Sequence, residues 1–139
     1  MKFDASRAAF LAIDLQQAFC TGTGSVARQG RDITPCRDAA LRCIELADAA
    51  RRNGIPVIWT KIALRPDYAD GGLMIHEIRP GLKEAGGIKA GTDDAALIAE
   101  AVIAPEDFVV DKPRNSAFFS SSLESLLHAL DVRCLMMGG

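Results

Sequence analysis

The 139-residue chain lacks an excess of charge of either sign, since 16 Lys and Arg stand against 18 Asp and Glu, for a formal net charge of −2. Aromatic residues make up only 6% of the sequence, and they do not alternate with basic residues. The basic, aromatic-bearing surface typical of nucleic-acid binders is therefore missing. We expect no nucleic-acid partner.

The sequence also lacks a long hydrophobic run. No apolar stretch reaches the roughly 18 to 20 residues needed to cross a membrane. The N-terminal sequence Met-Lys-Phe-Asp does not follow the pattern of a signal peptide. We therefore expect a cytoplasmic protein with no membrane partner.

Metal-binding residue types are scarce and badly spaced for a local site. Four cysteines and two histidines are present, with no C-x-x-C pair: Cys20, Cys36, Cys43, Cys134, His76 and His128. This spacing argues against a zinc or iron–sulfur centre, so we expect neither a metal nor a cofactor. Cys43 and Cys134 fall in apolar segments and are expected to be small core residues in a reducing compartment.

What the sequence does contain is an alternation of strand and helix signals over one domain, residues 1–139. Apolar residues make up 49% of the chain and charged residues 24%, as in soluble globular proteins. The apolar run 8–13 predicts a buried parallel strand, and further strands are expected over 56–60, 108–110 and from Cys134. Between them we expect helices, which gives an α/β fold with a parallel sheet in a three-layer α/β/α sandwich.

The helix predictions depend on capping signals. Thr34 is expected to cap a helix that has Pro35 at its first position and ends at Asn53-Gly54. Thr92 is expected to cap a short helix that continues to about Val102. The capping box Ser121-Ser122-Leu123-Glu124 predicts a further helix. Residues 61–91 are expected to form a long irregular loop with a functional role.

The last predicted strand is followed only by Gly138-Gly139. A parallel strand without a following helix leaves one face of the sheet uncovered and one edge open. We therefore expect a fold that is C-terminally incomplete, with strands and helices missing from this chain.

Two charged residues close predicted strands of the sheet. Asp14 follows the first strand, and Lys112 ends the third. The carboxyl ends of parallel strands meet at the edge where open α/β sheets bind ligands, so both side chains should emerge there together. A lysine beside a carboxylate favours its charged form and can orient or polarise a reacting group.

Three segments together resemble the isochorismatase-like cysteine hydrolases over essentially the whole chain. They are the sequence Asp-Leu-Gln-Gln-Ala-Phe from Asp14, the sequence Lys-Pro-Arg-Asn-Ser-Ala-Phe from Lys112, and the last strand with Gly138-Gly139. The resemblance implies a six-stranded parallel sheet in the order 3-2-1-4-5-6. It also implies that Asp14 and Lys112 are catalytic, that Phe19 lines the substrate pocket, and that a nucleophilic cysteine follows a few residues beyond Gly139.

The resemblance implies a hydrolase that cleaves a C–N bond in a small amide, carbamoyl or ureido compound. The stretch after the second strand contains no histidine, which disfavours a metal-dependent nicotinamidase. Arg65 and Tyr68 in that stretch are expected to contact a polar or anionic small-molecule substrate. We also expect a homo-oligomer.

Other interpretations stay open. Isochorismatase-type hydrolysis of a vinyl ether would use Asp14 as a general acid and needs no cysteine nucleophile. An inactive, truncated homologue would fold only with a partner chain. Two further alternatives are disfavoured: Cys20 as a substitute nucleophile, and nucleotide binding by the Gly-x-Gly-x-x-Ala sequence from Gly22, which starts too far from the first strand.

Overall fold

The computed structural model describes residues 4–139 and contains one parallel four-stranded sheet in the order β3-β2-β1-β4. Residues 1–3, on which part of the signal-peptide expectation rests, lie outside the described residues. The strands are β1 (Ala8–Ile13), β2 (Val57–Ile62), β3 (Phe108–Lys112) and β4 (Cys134–Gly138). The helices are α1 (Gln17–Cys20), α2 (Ser25–Arg28), α3 (Thr34–Arg52), α4 (Pro80–Glu84) and α5 (Leu123–Ala129).

Strand β1 is central because it is apolar on both faces. Phe10 pairs with Val57 of β2 on one side and with Met136 of β4 on the other. Successive residues of β1 point to opposite faces of the sheet. Phe10 contributes to a core with α3, and Leu11 contributes to a core with α5. The prediction of an α/β fold with a parallel sheet and helices on both faces is confirmed.

Helix α3 buries a narrow face of small residues against the sheet: Ala40, Cys43, Ala47 and Ala50. Its end at Asn53, followed by Gly54 with φ of +68°, agrees with the prediction. Its start differs, because Thr34 is already helical. The Asp32 carboxylate, and not the Thr34 side chain, accepts a hydrogen bond at this end, from the Thr34 N–H at 2.9 Å.

The segment after β2 is more ordered than an irregular loop. Strand β2 continues to Ile62, and the segment then forms a π-helical turn (Met74–Ile78) and α4. Together with Ala18 and Ile62 it builds a third apolar cluster whose buried members also include Leu64, Tyr68, Ile75, Leu82 and Ile88. The expectation of a fully irregular loop is therefore wrong, since local apolar residues bury one another.

The predicted helix from Thr92 to about Val102 is also wrong. Only Asp93–Ala95 forms a single 3₁₀ turn. The chain then runs beside the segment that leaves β1, where Ala96 accepts from the Gln17 N–H at 2.9 Å and Ile98 donates to the Leu15 carbonyl at 2.9 Å. These backbone groups pair across the fold and so cannot form a helical ladder.

Helix α5 forms as predicted, but its capping box does not. Ser122 occupies the N-cap position without a side-chain capping bond. The Ser121 hydroxyl instead accepts from the Leu123 N–H at 3.1 Å. No helix in the part of the chain covered by the structure is both long and apolar enough to span a membrane.

Asp107, just before β3, joins three elements through one carboxylate. It accepts from Trp59 Nε1 at 2.8 Å, from the Ala104 N–H at 3.0 Å and from Arg51 Nε at 3.0 Å, and its side chain is only 1% exposed. Burial raises the pKa of Asp107, but the hydrogen bonds from Arg51 and Trp59 outweigh it, so the pKa is lowered.

We expect Asp107→Ala to destabilise the fold by about 3–5 kcal/mol, because it leaves the partly buried Arg51 guanidinium and the buried Trp59 indole N–H without their hydrogen-bond acceptor. Since the Asp107 pKa is lowered, its contribution is present at neutral pH and is lost as the pH falls below the ordinary value of 3.8. Urea denaturation at neutral pH measures the loss, with the exposed neighbour changed in Glu106→Ala as the control. Equal stability of the two variants would contradict the assignment.

Candidate active site

Asp14 lies directly after β1 with a left-handed backbone, φ +57°. Residues other than glycine pay a strain cost in this conformation, although asparagine and aspartate adopt it more often than most. Its N–H donates to the Thr60 carbonyl at 3.0 Å, the last bond of the β1–β2 ladder. The turn ends the strand and leaves the Asp14 side chain at the carboxyl edge of the sheet.

Lys112 is the last residue of β3, two strands away from Asp14. Its buried side chain, 1% exposed, reaches across the end of β2 and donates from Nζ to Asp14 Oδ2 at 2.7 Å. The same Nζ donates to the Asn115 carbonyl at 2.7 Å, and Thr60 Oγ1 donates to Asp14 Oδ1 at 3.3 Å. The structure thus brings together the two residues that the sequence placed at one edge.

Burial and hydrogen bonding act in opposite directions on Asp14. Loss of solvent raises the pKa of its carboxyl group, and the bonds from Lys112 and Thr60 lower it only in part. The net effect is a raised pKa. A carboxylate of this kind is a stronger base than one in water, and its protonated form is more available as an acid.

A cavity of about 420 Å³ opens beside Asp14. Its lining is mainly apolar and comes from the end of β1, from α1, from the start of α3 and from the end of β4: Ile13, Asp14, Leu15, Phe19, Cys20, Pro35, Cys36, Ala39, Ala40 and Gly139. Phe19 lines the same cavity as Asp14, and its contact with substrate stays a prediction. An apolar cavity with one charged group is typical of a small-molecule site.

Gly139 lies against the backbone just before Asp14. A Cβ atom at this position would fall 2.1 Å from the Ile13 carbonyl oxygen and 2.8 Å from Ile13 Cβ. Only glycine permits this close approach. The main chain after β4 thereby reaches the same edge as Asp14.

Arg65 and Tyr68 do not line the Asp14 cavity. Tyr68 is buried in the cluster that follows β2, and its hydroxyl donates to the Gly87 carbonyl at 2.8 Å. Arg65 is exposed and pairs with Asp67 at 2.9 Å. The structure does not bring these two side chains to Asp14, and their contact with substrate stays a prediction.

The Cys20 thiol lines the cavity but is not activated. Burial raises its pKa to about 11, and the same cause raises the pKa of Cys43 to about 11. Reactive cysteines need a lowered pKa, because the thiolate is the nucleophile. Within the described residues 4–139, no group of three or more His, Cys, Asp or Glu is arranged to hold a metal ion.

Sequence reasoning missed two residues that contact the pair, Thr60 and Asn115, and the buried Gln16 two residues after Asp14. Thr60 could have been found, because it ends the predicted second strand, 56–60, and pairs in register with Ile13, next to Asp14. Asn115 acts through its backbone carbonyl, so its side chain gives no signal. Gln16 is fully buried although it follows a strand end, where polar residues are usually exposed.

Comparison with known proteins identifies the family of the chain. The isochorismatase domain model matches residues 8–139. The chain belongs to the isochorismatase family. Ureidoacrylate amidohydrolase RutB of Methylorubrum extorquens is 31% identical over 149 residues, a match that covers 99% of this chain and 60% of that protein. The chain thus spans 60% of the length of this curated relative.

Two solved structures share the fold. A cysteine hydrolase from Pseudomonas syringae pv. phaseolicola superposes with a TM-score of 0.80 at 25% identity, over 99% of this chain and 61% of that one. N-carbamoylsarcosine amidase from Thermoplasma acidophilum gives a TM-score of 0.70 at 21% identity, over 94% of this chain and 66% of that one. The strand order 3-2-1-4 observed here agrees with the first four strands that the resemblance implied.

Proposed function

We propose that this isochorismatase-family protein is a hydrolase that cleaves a C–N bond in a small amide, carbamoyl or ureido compound. The proposed catalytic groups are Asp14, Lys112 and a cysteine located beyond residue 139. The observation that carries the proposal is the 2.7 Å contact between Lys112 Nζ and Asp14 Oδ2 at the edge of an apolar cavity. The similarity to an amidohydrolase and to a cysteine hydrolase supports it.

In the proposed reaction Asp14 takes the proton from the cysteine thiol, and the thiolate attacks the substrate carbonyl carbon. The C–N bond then breaks, and the leaving amine receives the proton from Asp14. Water hydrolyses the resulting thioester, which is a thiocarbamate when the substrate is a ureido compound. Asp14 takes a proton from the water and gives it to the leaving thiolate, so the thiol is regenerated. The raised pKa of Asp14 suits a group that both accepts and returns a proton.

Lys112 has two roles in this proposal. Its charge holds the Asp14 carboxylate in one orientation, and it favours the charged forms of the base and of the thiolate. Phe19, in the cavity lining, is proposed to pack against the substrate. Arg65 and Tyr68 stay predicted substrate contacts, and the homo-oligomer and the cytoplasmic location also stay predictions.

The experiment that tests the proposal starts with the gene beyond codon 139. We expect a cysteine a few residues after Gly139, in a Gly-Val-x-Thr-x-x-Cys context. Replacing it with serine in the encoded protein should abolish hydrolysis of ureidoacrylate and related amides, and mass spectrometry of the wild type should detect the thioester. Hydrolysis that survives this replacement would contradict the cysteine mechanism.

A second candidate is vinyl-ether hydrolysis with Asp14 as the general acid. The raised pKa of Asp14 favours it, because a protonated carboxyl group is then present at higher pH. Turnover of isochorismate without turnover of ureidoacrylate would select this reaction. Absence of both activities, together with folding only in a complex, would select the inactive homologue that needs a partner chain.

A further inference from the structure

The β1–β2 ladder stops before β2 does. Asp14 turns away from the sheet after donating to the Thr60 carbonyl, whereas β2 continues to Ile62. Residues two apart in a strand direct their N–H and C=O groups to the same side, so Ile62 faces the side that β1 has left. Without a substitute partner, both backbone groups of Ile62 would be buried and unpaired.

The side chain of Gln16 supplies that partner. Its Oε1 accepts from the Ile62 N–H at 2.7 Å, and its Nε2 donates to the Ile62 carbonyl at 2.8 Å. Nε2 also donates to the Ala95 carbonyl at 2.8 Å. The side chain is fully buried, so its amide acts as a peptide group that extends the ladder past Asp14.

The end of β2 in turn holds the backbone of Lys112. Ile62 is the register partner of Lys112, and the Ala63 N–H donates to the Lys112 carbonyl at 3.3 Å. The Lys112 side chain then returns to Asp14, two residues before Gln16. A closed path of contacts therefore runs from Gln16 through the end of β2 to Lys112 and back to Asp14.

We propose that Gln16 is a positioning residue that sets the geometry of the Asp14–Lys112 pair through the end of β2. The proposal rests on the function proposed above. It depends on the amide, because only a group with one acceptor and two donors satisfies Ile62 and Ala95 together. A displacement of about 1 Å at a reacting group can cost about 100-fold in rate.

The test compares Gln16→Met, which keeps the shape and removes the bonds, with Gln17→Met as the matched control. Gln17 is half-buried, and its side chain forms no hydrogen bond within the described residues 4–139. In Q16M we expect the Ile62 amide to exchange with solvent about tenfold faster. We also expect the Asp14 pKa, followed by carboxyl NMR, to rise further as Lys112 loosens. In the active protein kcat should fall about 10–100-fold with little change in KM.

Gln16→Glu provides a second arm, which remains informative if Q16M folds poorly. When protonated, the new carboxyl group accepts from the Ile62 N–H and donates one of the two hydrogen bonds, so the geometry should recover in part at low pH in Q16E and not in Q16M. Unchanged Asp14 titration and Ile62 exchange in Q16M would overturn the role of Gln16 whatever the activity. A wild-type protein that hydrolyses no amide, with both NMR effects present, would instead overturn the proposed function.

Discussion

Replacement of Asp14 by asparagine is expected to lower kcat by about 10²–10⁴-fold, the usual contribution of a general base. Asparagine keeps the size of the side chain and can still accept from Lys112 Nζ, so the cavity should stay intact. It cannot take or return a proton. KM should therefore change little, and steady-state kinetics of amide hydrolysis by the active protein measures both constants.

Asp111→Asn is the matched control for this change. Asp111 is also a carboxylate at the end of β3, next to Lys112 in sequence, but it is 60% exposed and pairs with Lys61 at 3.0 Å. Its replacement should leave kcat unchanged. A similar fall in both variants would show that charge at this edge matters in general and that Asp14 has no specific role.

The pH profile of the same protein tests the Asp14 environment. Burial raises the Asp14 pKa, so the basic form is lost at a higher pH than for an aspartate in water. We expect kcat/KM to fall on the acid side with an apparent pKa above the ordinary value of 3.8. The residual activity of D14N should show no such fall on the acid side of the pH profile.

The sequence predicted the sheet well because each strand is a short apolar run. Residues 8–12 and 57–59 are buried on both faces of the sheet, which requires apolar side chains at successive positions. Asp14 and Lys112 were predictable for a related reason. Charged residues that directly follow such runs must lie at the edge of a parallel sheet.

The features of the fold and the site that the sequence did not predict depend on contacts between distant segments. Residues 92–102 have a helix-capping signal, but their backbone pairs with the exit from β1, so tertiary contacts override the local preference. The burial of Gln16 was unpredictable for the same reason, because it depends on the β1–β2 ladder ending before β2 does. No local sequence pattern predicts where one strand extends beyond the strand with which it pairs.

Lys112→Met is expected to destabilise the fold by about 3 kcal/mol at neutral pH, the lower end of the cost of breaking a buried ion pair. Methionine fills the space of the lysine stem, so the loss comes from Asp14, which keeps 23% exposure but loses its counter-ion. Catalysis should also be lost, because Asp14 is no longer held or kept charged. Urea denaturation at several pH values measures the stability change.

The sign of the pH dependence identifies the cause. Without Lys112 the Asp14 pKa rises further, because burial then acts with little opposition. A carboxyl group whose pKa is raised on folding binds protons more tightly in the native state, so its penalty appears as the pH rises through that pKa. The stability gap between K112M and the wild type should therefore be larger at pH 8 than at pH 5.

Lys61→Met, at the more exposed pair with Asp111, should show a smaller loss and no such trend. A gap in K112M that does not change with pH would mean that lost packing, and not the charge on Asp14, accounts for the effect.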